Sequence, residues 1–132
     1  IGCENMESKR SVSPSLEDYL ETILIISEQN EKVRITDLAE ALDVAKSSVH
    51  QAISRLKEAD LVTQEKYGPV DLTDTGKQKA IKIREKHEIL VSFLVEVLGV
   101  DHDTAHRDAC LIEHSISAVT IEKLIQFMRN YK

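Results

Sequence analysis

Glycine and proline interrupt this chain at very few points, and that scarcity most restricts what it can fold into. Four glycines and two prolines are spread over 132 residues, so long stretches contain nothing to break a helix. The exception is Gly68-Pro69, set between two short β-prone runs, Leu61–Gln64 and Val70–Leu72, which reads as the turn of a hairpin. Apolar residues make up 42% of the chain and aromatics 4%, so a core is affordable and is built from Leu, Ile, Val and Ala. No run reaches the roughly 18 apolar residues that a membrane span needs, and the polar N-terminus lacks the apolar segment of a signal peptide. Cys3 and Cys110 lie in very different contexts. A disulfide framework is therefore not expected, and a reducing cytoplasm is the natural location.

Helical periodicity and capping residues divide the rest. Residues 1–12 read as a flexible tail. Ser13-Pro14-Ser15 opens a first helix, with Ser13 or Ser15 as cap and Leu16, Tyr19, Leu20 and Ile23 at helical spacing to about Gln29. A loop or short strand, NEKVRI, follows. Thr36 is the expected cap of a short helix, DLAEALD, and VAK makes a tight connection to SSVHQAISRLKEA, whose Val49, Ile53 and Leu56 face inward. After the hairpin, Thr73 caps a long helix that Gly99 ends. Asp101 or Asp103 starts the next, and SAVTIEKLIQFMRNY forms the last.

Helix, short helix, tight turn, helix, hairpin is the order of a winged helix-turn-helix, expected over residues 13–73. The second helix of such a unit presents its N-terminal end to the major groove. Here that end offers Lys46, Ser47, Ser48, His50 and Gln51, with Arg55 further along. Ser and Gln hydrogen-bond base edges, and Lys holds phosphates. Lys66 and Tyr67, near the hairpin tip, would lie along the DNA backbone. The net charge of −6 excludes a general nucleic-acid coat, but residues 44–57 carry Lys46, Arg55 and Lys57 and no acid.

A second cluster lies in HRDACLIEH, residues 106–114. At about 100° per residue, His106, Cys110, Glu113 and His114 share one stripe of a helix. Asp18 and Glu21, three apart on the first helix, put two carboxylates on one face. His87 borders the apolar face of the long helix and is either a satisfied core residue or a further ligand. Oxygen and imidazole donors suit Mn²⁺, Fe²⁺ and related ions. The plainer alternative is buried polar packing in a metal-independent DNA-binding dimer. An enzyme with Cys110 as nucleophile and His106 or His114 as base lacks any visible oxyanion donor or substrate pocket, so no catalytic function is expected.

The segments SPSLEDYLETI, ITDLAEALDVAKSSVHQAISRL, EKYGPVDLTDTGK, KHEIL and ACLIEHSIS resemble the diphtheria toxin repressor and manganese transport regulator family over residues 13–128. The resemblance implies a mostly α chain: a winged helix-turn-helix, then an all-helical dimerisation and metal-binding domain over 74–132, without the SH3-like third domain of longer members. It implies a homodimeric, metal-dependent transcriptional repressor that binds double-stranded operator DNA to control metal-ion homeostasis. By position, Asp18, Glu21, His87, Glu113 and His114 match the manganese-type ligands, while Cys110 and His106 match iron-type choices. The ancillary glutamate of iron-type members is Val91 here, and their methionine is Asp18. This hybrid set points to Mn²⁺ or Fe²⁺, with Co²⁺ or Zn²⁺ possible in vitro; Cys110 could contribute its thiolate or only its backbone carbonyl.

Overall fold

The computed structural model describes residues 14–29 and 32–131; the expected tail, and Ser13 as a possible cap, lie outside them. The chain separates into two compact units, with the division between Lys82 and Ile83.

In the first unit, α1 (Leu16–Glu28), α2 (Ile35–Leu42) and α3 (Lys46–Glu58) precede a hairpin of β1 (Val62–Gln64) and β2 (Val70–Leu72). Ser15 caps α1 reciprocally: its hydroxyl accepts from Asp18 N–H at 3.1 Å, and Asp18 Oδ2 accepts from Ser15 N–H at 2.8 Å. The expectation that Thr36 caps α2 is corrected. Arg34 is the N-cap, and Asp37 accepts from the Arg34 N–H at 3.0 Å, so a carboxylate in the first turn performs the capping. Asp43, left-handed at φ 55°, ends α2 and turns the chain into α3. The buried residues are those spaced for it: Leu20, Ile23 and Leu24 of α1, Leu38 and Leu42 of α2, Val49, Ile53 and Leu56 of α3. Val62 and Val70 close this core from the hairpin.

The two strands pair antiparallel in the register Val62↔Leu72, Thr63↔Asp71 and Gln64↔Val70. NEKVRI contributes a single bridge, Val70 N–H to Val33 O at 2.7 Å. The hairpin turn differs from its expected form. Gly68 N–H bonds to Glu65 O at 2.7 Å, which places Tyr67, not Gly68, at the turn position with positive φ (60°). Leu61 begins before the strand proper, and its carbonyl accepts from Thr73 N–H at 3.0 Å. Thr73 caps α4 (Asp74–Ser92) through Gly76 N–H to its hydroxyl at 2.9 Å.

The second unit begins within α4, at Ile83. Beyond Ser92 the helix widens into a π-helical turn, Phe93–Val97, before Gly99 stops it at φ 76°. Nothing in the amino-acid pattern announced that turn. Asp101 caps α5 (His102–Ile112) and Ser117 caps α6 (Ala118–Asn130). Ile83, Leu90, Ala105 and Ala109 are buried here, and α6 has no buried residue. Phe127 packs edge-on to Phe93 with ring centroids 6.1 Å apart, and the Tyr131 hydroxyl donates to Glu96 O at 3.4 Å, which ties the end of the chain to the π turn. Leu98, Leu111, Val119 and Phe127 remain exposed.

Candidate metal centre and nucleic-acid interface

His87, on α4, meets three of the expected residues from α5. Its Nδ1 lies 2.8 Å from Glu113 Oε1, its Nε2 lies 3.0 Å from His106 Nδ1, and Cys110 Sγ lies 3.9 Å from Nδ1. One ligand atom from each of His87, His106 and Cys110 falls within 4.8 Å of the others. A neutral His87 that donates from Nδ1 to the carboxylate keeps a lone pair on Nε2, which then accepts from His106. The ring of His102 stacks on that of His106 at 6.3 Å.

Glu113 is 1% exposed. Its Oε1 is bonded to His87, whereas its buried Oε2 has no hydrogen-bond partner among the described residues. His114 Nε2 sits 3.5 Å from Oε2, too far for a good hydrogen bond. Burying a carboxylate oxygen without a partner costs free energy. The position also favours positive charge, because Glu113 caps the C-terminal, negative end of α5. Lys86 reaches the same place and donates to the Glu113 backbone carbonyl at 3.1 Å. An orphaned carboxylate oxygen beside imidazoles, at a helix C-terminus, fits a divalent cation.

Cys110 overturns one expectation. It is buried and disulfide-bonded. Separation along the chain places no bound on separation in space, so differing sequence contexts could not exclude the bond. In this state the sulfur has no thiolate to give a metal or a substrate. Asp18 and Glu21 belong to the first unit, where both are buried on α1 one turn apart. Asp18 also acts on its neighbour: burial first, and the Asp18 charge second, push the Tyr19 hydroxyl pKa up.

The DNA-facing candidates lie on the outer side of α3 and on the hairpin. Lys46, Ser47, Ser48, His50, Gln51 and Arg55 are all exposed, as are Lys66 and Tyr67 at the hairpin tip. The Lys66 ammonium sits 5.5 Å from the Tyr67 ring centre. Two recesses flank α3. Ser48, Gln51 and Arg55 face one beside the start of α1; His50 faces the other, beside the hairpin. Ser54 shares the exposed strip of Ser47, His50 and Gln51, and Lys57 lines the hairpin recess with His50. Ser54 was not foreseen, and Lys57 was read only as part of the basic stretch 44–57, although it lies seven residues after His50, a spacing that returns to the same helix face.

Residues 11–70 match the iron-dependent repressor N-terminal DNA-binding domain, and residues 73–132 match the iron-dependent repressor metal-binding and dimerisation domain. The chain belongs to the iron-dependent repressor family. Among family relatives, an uncharacterised HTH-type transcriptional regulator of Methanocaldococcus jannaschii is 40% identical over 122 residues, 92% of this chain and 98% of that one. The HTH-type transcriptional regulator MntR of Shouchella clausii is 36% identical over 112 residues, 85% of this chain and 78% of its own. The structure of the manganese regulator SloR superimposes with a TM-score of 0.80 at 32% identity, over 92% of this chain and 56% of SloR; the chain thus spans about half the length of that solved regulator. The iron-dependent repressors are transcriptional regulators, not enzymes, which removes the nucleophile reading of Cys110. The expected winged helix-turn-helix followed by a helical dimerisation domain, and the resemblance to the diphtheria toxin repressor and manganese transport regulator group, both hold. None of the helices described is long and apolar enough to cross a membrane.

Proposed function

We propose that this iron-dependent repressor homologue is a homodimer that represses transcription from operator DNA when it holds a divalent ion, Mn²⁺ in preference to Fe²⁺. The observation that carries the reading is Glu113: a buried carboxylate with one oxygen bonded to His87 and the other orphaned beside His114. In this reading residues 13–73 read DNA and residues 74–132 dimerise and hold metal. The ligands are Asp18, Glu21, His87, Glu113 and His114, with Cys110 joining only when reduced and His106 belonging to an ancillary position. A bound divalent ion supplies the positive charge that buried carboxylates need. Hard oxygens from Asp18, Glu21 and Glu113 favour Mn²⁺ or Fe²⁺, and a reduced Cys110 thiolate would pull toward Fe²⁺, Co²⁺ or Zn²⁺.

Within the chain, Glu113 fixes the His87 ring through Nδ1, and Lys86 fixes the backbone at Glu113. The exposed apolar side chains Leu98, Leu111, Val119 and Phe127 supply the surface that a second copy covers. On α3, Ser47, Ser48, His50 and Gln51 read base edges while Lys46, Arg55, Lys66 and Tyr67 hold the backbone. A repressor of this kind works beside the chromosome, in the cytoplasm.

The test uses a duplex selected by the Mn²⁺-loaded protein from a random pool. Its affinity is measured anaerobically with Mn²⁺, Fe²⁺, Zn²⁺ or chelator, for wild type and Glu113→Ala. Mn²⁺ is expected to tighten wild-type binding by about 5- to 150-fold, the usual range of coupling between sites, and Glu113→Ala to stay at the chelated level. Equal affinity in every condition overturns the reading and leaves a metal-independent DNA-binding dimer.

A further inference from the structure

The recess of about 630 Å³ between α3 and the hairpin carries an unusual charge for this chain. Its lining includes the basic side chains Arg34, Lys57 and Lys66, with His50 and Gln64. Glu65 is its one carboxylate. The protein as a whole bears a net charge of −6, so this concentration of positive charge departs from the composition. The three cations come from three separate elements: Arg34 from the start of α2, Lys57 from the last turn of α3, Lys66 from the hairpin tip. No local helix pattern requires them to converge.

The walls are also fixed. Asp37 holds the Arg34 backbone N–H, and the Gln64 side-chain amide donates to Gly68 O at 3.0 Å, bracing the hairpin tip from which Lys66 projects. Lys57 lies two helical turns after His50 on the same face of α3. Of the side chains assigned above to base edges, Ser47, Ser48 and Gln51 do not line this recess and only His50 reaches it. Its three cations against one carboxylate suit it to an anion.

We infer that this recess seats one backbone phosphate of the operator, held by Arg34, Lys57 and Lys66, and so sets the register of α3 in the groove. The inference rests on the DNA-binding reading above and adds Arg34 and Lys57 to it. A phosphodiester is favoured over a free anion because the recess is lined by His50 and Lys57 of α3, and His50 belongs to the exposed strip of Ser47, Gln51 and Ser54. Contacts of this kind position a protein on DNA and contribute no sequence discrimination.

The experiment measures binding to the selected duplex with Mn²⁺ and to a scrambled duplex at low salt without metal, across a salt series. Wild type is compared with Arg34→Gln/Lys57→Gln/Lys66→Gln. Losing one phosphate contact should lower the slope of log affinity against log salt by about 0.9. Between about 50 and 200 mM salt that slope is a change of about 3.5-fold in the affinity ratio. Both duplexes should weaken by the same factor, and restoring charge with Lys57→Arg in the triple variant should recover part of the slope. An unchanged slope overturns the inference, as does a loss confined to the selected duplex, which would mean base reading. A third arm titrates inorganic phosphate without DNA; saturation that the triple variant abolishes, with the DNA slope unchanged, would reassign the recess to a free anion and also overturn it. The scrambled-duplex arm needs no metal, so it stands even if metal activation fails, and failure of wild type to respond to Mn²⁺ sinks only the earlier reading.

Discussion

Single positions in this chain are decided by backbone approach and by local hydrogen bonds, and both kinds make firm predictions. A Cβ placed on Gly76 would lie 1.9 Å from the Leu61 carbonyl oxygen, and that oxygen is committed to Thr73 N–H. Backbone on both sides leaves nothing flexible to give. Gly76→Ala should therefore cost about 3 kcal/mol, at the upper end of ordinary overpacking, and a urea unfolding midpoint measures it. Asp101 behaves differently. Its carboxylate accepts from Thr104 N–H at 3.0 Å, and that bond, aided by the charge of Arg107, holds its pKa below the usual 3.8. A depressed folded-state pKa adds stability above the unfolded value and loses it as pH falls through the folded one. Asp101→Asn should thus be less stable than wild type at neutral pH, with the difference closing below about pH 3.8. An unfolding midpoint that differs equally at both pH values would refute the linkage. Such residues are partly legible in advance: Thr73 could be named as a cap, and Ser15 and Asp101 each as one of two candidates, because each needs only its own N-terminal turn, whereas Thr36 was displaced by Arg34. Gly76 could not, since the atom it avoids belongs to the end of the preceding helix-to-strand connection.

Among elements, the hairpin shows how a sequence signal can be right in kind and displaced in detail. Gly68-Pro69 marks the turn, but the left-handed position is taken by Tyr67, which is 92% exposed and gains almost no packing in return. A bulky residue there costs about 1–2 kcal/mol, against about 0.5–1 kcal/mol of extra unfolded-state entropy for glycine. Tyr67→Gly should therefore stabilise the protein by about 0.5–1 kcal/mol while weakening DNA binding, if strain is retained there to present the ring. A variant that is both more stable and equally tight on DNA would show that Tyr67 contributes nothing to the interface. The helices were legible because their apolar positions repeat at helical spacing from Leu16 to Leu56. The π turn at Phe93–Val97 was not, because it follows from packing of Phe93 and Glu96 against α6, through Phe127 and Tyr131, and no local propensity encodes it.

At the scale of the whole molecule, half of the candidate site could be read from periodicity and half could not. The stripe of His106, Cys110, Glu113 and His114 follows from helix geometry alone, and His87 adjoins it because α4 and α5 pack in the second unit. The Glu113–His87 bond at 2.8 Å and the orphaned oxygen depend on that packing, and no motif announces the disulfide at Cys110. The unsatisfied oxygen has a consequence for stability. A cation that binds the folded chain and not the unfolded one stabilises it by mass action, about 2.7 kcal/mol at 100 times its dissociation constant. Mn²⁺ should therefore raise Tm, measured at fixed protein concentration, and a chelator should reverse the rise. Glu113→Ala removes the buried acceptor, so its Tm should be the same with and without Mn²⁺, whatever its own stability relative to wild type. Lys57→Gln leaves the metal ligands intact and should retain the full Mn²⁺-dependent rise. If Glu113→Ala gains as much from Mn²⁺ as wild type does, the ion that stabilises this protein sits elsewhere, and the buried carboxylate is a packing cost with no ligand to relieve it.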